Sequence, residues 1–254
     1  MTAENKTTRK GNAGIRPIRT VSVFGLSESA ASEHLTEFRQ RFPQFMIQFR
    51  TKFPEVRVDF YAAKTEFENL KGSVEDAVQW VCRRLGNHAF SDAGRSLEQV
   101  VGMHLREKKA TLAVAESCTG GLIANLLTDV PGSSDYFLFS AVTYANEAKM
   151  KFLGVKAETL ERYGAVSEQT AGEMARGAQT GIDATYGLAT SGIAGPDGGT
   201  EDKPVGTVCI GLATPLSVTA HRFKFTHNNR KMNKQIFAAT ALDILRKALM
   251  GVNG

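Results

Sequence analysis

Residues 111–121 read Thr-Leu-Ala-Val-Ala-Glu-Ser-Cys-Thr-Gly-Gly. A short apolar run passes without a linker into serine, threonine and two glycines. That pattern suits a buried strand, Thr111 to Ala115, ending in a sharp turn that opens a helix near 121–128. Beyond it the pattern alternates. Strands are expected at 139–144, 186–191, 205–214 and 218–225, with helices near 147–152, 157–162 and 168–179 and a long C-terminal helix from about 229. Helices placed between apolar strands predict one layered α/β domain from about residue 95 to 254. Ser96 is the expected cap of its first helix, 97–108, and 89–96 read as a loop.

Upstream, residues 18–88 show a different rhythm. A strand at 20–25 is followed by a helix over 30–42, with Ser27 or Ser29 as its cap. Phe45, Ile47 and Phe49, and then Val56, Val58 and Phe60, alternate about Pro54-Glu55, which predicts a hairpin. Ser73 is the expected cap of an amphipathic helix stopped by Gly86-Asn87. This is a small α+β unit. Residues 1–17 lack periodicity and read as a disordered basic tail.

Of the formal charge of +5, residues 1–20 carry +4, with Lys6, Arg9, Lys10, Arg16 and Arg19 against Glu4. The remainder is nearly neutral, so nucleic acid is not an expected partner. No apolar run reaches the ~18–20 residues of a membrane span, and the N-terminus has no secretory h-region. The three cysteines, Cys82, Cys118 and Cys209, form no C-x-x-C pair. Neither a disulfide framework nor a metal site is expected, and a cytoplasmic setting fits.

Three stretches can carry chemistry. The turn Ser117-Cys118-Thr119-Gly120-Gly121 offers a hydroxyl and backbone N–H groups at a helix N-terminus, for an anion or a developing oxyanion. It serves equally well as a helix cap followed by a Gly-Gly turn. In Thr143-Tyr144-Ala145-Asn146-Glu147-Ala148-Lys149 a lysine lies early in a helix, against the dipole, where a depressed pKa would let it serve a serine as base. A solvated surface lysine would need no such account. Residues 190–199, Thr-Ser-Gly-Ile-Ala-Gly-Pro-Asp-Gly-Gly, are glycine-rich enough for close backbone approach to a ligand, or form a mobile loop.

These stretches, with Gly132-Ser133-Ser134 and Gly164-Ala165-Val166-Ser167 in order between them, resemble the CinA C-terminal domain family over about 95–250. Its enzymatic members are nicotinamide-nucleotide amidohydrolases. The resemblance implies a layered α/β/α domain that converts nicotinamide mononucleotide to nicotinic acid mononucleotide and ammonia, within pyridine-nucleotide recycling and without a cofactor. It implies Ser117 as nucleophile, activated by Tyr144 and Lys149. Thr119, Gly120, Gly121, Ser191, Gly192, Gly195 and Arg230 would bind substrate, Arg230 at its phosphate. Residues 18–88 look like the KH-like linker of longer CinA proteins. Those proteins also carry an N-terminal molybdopterin-binding-like domain, to which nothing here corresponds, so no metal is assigned. A homo-oligomer, dimer or higher, is expected.

One departure stands out. Many relatives read Gly-Asp-Arg after the last strand, where this chain reads His227-Asn228-Asn229-Arg230. An amidase for another nucleotide-linked amide therefore stays open. So does a catalytically idle binding or regulatory protein, although residues 18–88 lack the Gly-x-x-Gly loop that KH recognition of nucleic acid requires.

Overall fold

The computed structural model describes residues 17–62 and 71–252. The proposed tail, 1–17, lies almost wholly outside them. Two sheets organise the chain. The first is antiparallel, in the order β2-β3-β1-β4, built from β1 (Arg19–Phe24), β2 (Phe45–Lys52), β3 (Glu55–Ala62) and β4 (Ala89–Ser91). The hairpin forms as its alternation predicts, with Lys52 opposite Glu55 and Phe45 opposite Ala62. Val21, Val23, Val56, Val58 and Phe60 bury one face against Phe38, Phe42 and Trp80.

Three expectations for this unit change. The first helix is split into α1 (Glu28–His34) and α2 (Phe38–Arg41). Ser27 caps α1 by accepting from the Ala30 amide, and the turn between the helices brings Phe38 edge-on to Phe60, 5.7 Å between ring centres. Ser73 is not a cap, because α3 (Lys71–Leu85) already begins two residues earlier. The expected loop at 89–96 contains β4, which pairs with β1. Only three residues long, it shows too little alternation to be read as a strand.

The second sheet has the order β6-β5-β7-β8-β9. Its strands are β5 (Leu112–Glu116), β6 (Phe137–Val142), β7 (Tyr186–Gly192), β8 (Thr207–Ala213) and β9 (Val218–Lys224). β5 runs parallel to β6 and β7, while β8 and β9 are antiparallel additions. One face is covered by α4 (Leu97–Glu107), α5 (Leu122–Thr128) and α9 (Arg230–Leu249). The other is covered by α6 (Asn146–Leu153), α7 (Ala157–Tyr163) and α8 (Glu168–Gly181). The three-layer α/β/α arrangement is the expected one. Side-chain alternation along β5 divides its residues between the layers: Leu112 and Val114 join the α9 side, Ala113 and Ala115 the α8 side.

The α8 side is a small-residue interface. A Cβ on Gly211 would lie 2.1 Å from the Ala171 carbonyl oxygen, and one on Gly187 would lie 2.0 Å from that of Ala175. Helix and sheet thus touch backbone to backbone. Gly211→Ala is expected to push α8 off the sheet at a cost of about 1–3 kcal/mol, read as a lower urea midpoint at unchanged slope. Among the described residues no helix is long and apolar enough to cross a membrane, and no group of histidine, cysteine and carboxylate side chains is arranged to hold a metal ion.

Candidate active site

β5 and β7 end side by side, and the main chain of Ser117 continues their ladder by donating to the Thr190 carbonyl. The chain then reverses through Gly120 and Gly121, with φ of +61° and +88°. Only glycine adopts two such conformations in succession at little cost. Glu116 holds the turn from beneath. Fully buried, its carboxylate accepts from the amides of Gly121, Ile123 and Ala124, at 2.9, 3.2 and 2.9 Å. It therefore caps α5 from the inside.

This narrows the anion-binding reading of the turn. The Gly121 amide is occupied by Glu116 and the Gly120 amide donates to the Ser117 carbonyl. The Cys118 amide lies beside its own thiol, and neither it nor the Thr119 amide donates to a backbone carbonyl among the described residues. The Thr119 side chain is buried and hydrogen-bonded to the Thr190 hydroxyl at 2.8 Å.

Lys149 is the unusual residue. It is 1% exposed although it lies on a short surface helix. Its Nζ is 2.8 Å from the Thr143 carbonyl, 3.0 Å from the Tyr144 carbonyl and 3.3 Å from Ser117 Oγ. Burial holds its pKa below the ordinary lysine value. The depressed pKa expected from helix position is present, with burial as its leading cause. A neutral amine has two hydrogens and one lone pair. With both carbonyls accepting those hydrogens, the lone pair is left for the hydroxyl proton of Ser117.

Tyr144 lies two residues beyond the end of β6, which stops earlier than the predicted 144 because the chain turns there into α6. Its hydroxyl accepts from Arg230 Nη2 at 3.2 Å, and it is Tyr144's main-chain carbonyl that contacts Lys149. Arg230, the first residue of α9, also donates from Nη1 to the Gly195 carbonyl at 2.7 Å. The departure at 227–230 has a local explanation: Asn229 caps α9, its Oδ1 accepting from the Met232 amide at 3.0 Å.

Ser117, Tyr144, Lys149, Ser191, Gly192 and Arg230 line one cavity of about 200 Å³. Thr119, Gly120, Gly121 and Gly195 lie outside its lining. Gly195 acts on it through Arg230, and Gly120 faces Lys234, whose Nζ lies 3.2 Å from where a Cβ would be. Ala165, Val166 and Ala194 complete the wall with Cys118. The sequence signal for Ala165 and Val166 was the Gly164–Ser167 stretch. Ser191 Oγ donates to the Ala165 carbonyl at 2.6 Å and ties that stretch to β7. Cys118 is a poor rival nucleophile, since burial pushes its thiol up to about 12.

Residues 94–249 match the family model of the CinA C-terminal domain. The chain is 51% identical to a CinA-like protein of Desulforapulum autotrophicum over 236 residues, 93% of this chain and 56% of that one. It is 52% identical to a CinA-like protein of Desulfosudis oleivorans, over 91% of this chain and again 56% of the relative. It thus spans little more than half the length of these curated relatives. Among solved structures it resembles the competence/damage-inducible protein CihA of Agrobacterium tumefaciens, with 39% identity and a TM-score of 0.58 over 61% of this chain and 95% of that one. A CinA superfamily protein of Klebsiella pneumoniae gives 33% identity and a TM-score of 0.59, over 61% and 96%. With the family model covering the cavity and every residue that lines it, the chain belongs to the CinA family.

Proposed function

We propose that the chain is an amidohydrolase that converts nicotinamide mononucleotide to nicotinic acid mononucleotide and ammonia, by serine attack assisted by a neutral lysine. The observation that carries this reading is the buried Lys149 amine, oriented by two carbonyls and 3.3 Å from Ser117 Oγ. A lysine placed only for solubility would be solvated.

In this mechanism Ser117 Oγ attacks the carboxamide carbon as its proton passes to Lys149 Nζ. The Cys118 amide, in the cavity wall, meets the developing oxyanion. Lys149 returns the proton to the departing nitrogen, which leaves as ammonia. The resulting acyl ester is attacked by water, which gives a proton to the same amine, and the amine passes that proton to the departing Ser117 Oγ, restoring the hydroxyl and the neutral lysine. Tyr144 orients Lys149 through its carbonyl and places its hydroxyl beside Arg230, at the nucleotide end of the substrate. Arg230 meets the phosphate.

Ammonia release by the purified protein tests the proposal. Ser117→Ala is expected to remove activity by about 10³-fold or more while leaving thermal unfolding unchanged. An inactive parent protein would refute the substrate assignment, and full activity in Ser117→Ala would refute the nucleophile.

A further inference from the structure

The turn between β2 and β3 of the small unit is partly covered: Lys52 is exposed, but Phe53 and Pro54 are half-buried and Glu55 is buried. Phe53 packs against the α9-side core of the larger sheet, and Lys52–Glu55 share the walls of a cavity of about 170 Å³ with Leu122 and Leu126 of α5 and Gln235 and Ala239 of α9. The buried Glu55 carboxylate accepts from the Leu97 amide, which fastens the turn to the start of α4. Both helices on the far wall adjoin the site in sequence: α5 follows the Ser117 turn, and α9 begins with Arg230, which lines the Ser117 cavity.

The contact continues toward Arg230. The Phe53 ring meets His227 edge to face, 5.2 Å between centres. The His227 carbonyl accepts from Asn233 Nδ2, which also donates to the Ala194 carbonyl in the cavity wall. Arg230 lies between these anchors and is itself bonded to Gly195. A ring from the small unit thus bears on the segment that aims the guanidinium. Among the described residues none of the small unit lines the Ser117 cavity itself.

We propose that the β2–β3 turn, acting through Phe53 and His227, is a positioning element for Arg230 and so sets where the anionic end of the substrate is held. The inference rests on the reading of Arg230 as the phosphate contact. Displacing a binding group by a fraction of an ångström weakens substrate binding without touching the reacting atoms. It predicts a change in KM with kcat preserved, which a general loss of folding would not produce.

The test compares the full chain with Phe53→Ala, Phe53→Tyr and His227→Ala, by ammonia-release kinetics on nicotinamide mononucleotide and by hydrogen exchange at Met232 and Asn233, whose amides depend on Asn229. Phe53→Ala and His227→Ala are expected to raise KM about tenfold at near-constant kcat and to speed that exchange, while Phe53→Tyr restores both. His227→Ala leaves the apolar seat of Phe53 intact and decides the matter if Phe53→Ala does not fold. Unchanged exchange at Met232 and Asn233 in a folded variant would overturn the inference. If the parent protein releases no ammonia, the proposed function fails, and the exchange measurement still decides whether the turn positions the segment.

Discussion

Lys149→Met is expected to lower ammonia release by about 10²–10⁴-fold while making the protein more stable at neutral pH. The two effects have one cause. The buried amine loses its proton at a lower pH than it would in the unfolded chain. Between the two pKa values the unfolded state binds more protons, so stability rises with pH across that window and is diminished below it. Methionine removes that penalty and keeps the apolar stem, yet cannot accept the Ser117 proton. In the parent protein activity should rise with pH through the depressed lysine pKa and level off above it, because the base works only when neutral. Urea unfolding and a pH–rate profile check both halves. An active Lys149→Met, or one less stable than the parent at neutral pH, would contradict the account.

Glu116→Ala carries the largest expected cost to folding, about 3–5 kcal/mol. The substitution leaves three amides at the start of α5 without an acceptor, in a place with no exposed surface at Glu116. Glu116→Gln keeps one acceptor oxygen and should fall between the two. Because the same carboxylate fixes the turn that presents Ser117, activity should fall in both variants even where they remain folded. Urea midpoints by circular dichroism, with ammonia release alongside, measure the two effects. A midpoint for Glu116→Ala equal to that of the parent would show that the carboxylate is not needed to hold the helix start.

Long periodic segments were legible. The five strands and six helices of the larger unit follow their apolar patterns, with ends displaced by a few residues. β8, for example, begins at Thr207 rather than 205. Short elements were not: β4 has three residues, and the break between α1 and α2 answers to where Phe38 must point. In the site, Ser117, Tyr144, Lys149, Ser191, Gly192 and Arg230 converge on one cavity from four separate stretches. Glu116 could not be assigned a task from its position before Ser117. Its three amide partners lie five to eight residues ahead, and a carboxylate at a strand end reads as solvated until the helix folds back over it.

By itself the sequence determined the layered α/β class and the site-bearing turn, because apolar periodicity and paired glycines are properties of local chain geometry. It left open whether Ser117 caps a helix and whether Lys149 is an ordinary surface residue. Those questions turn on burial and on contacts between segments 26 to 32 residues apart, such as Lys149 to Ser117 and Ser191 to Ala165. Only the tertiary structure withdraws the lysine from water, saturates its hydrogens with the Thr143 and Tyr144 carbonyls and turns its remaining position toward a hydroxyl. Desolvation is a property of the packed chain, which is why no reading of residue order supplied it.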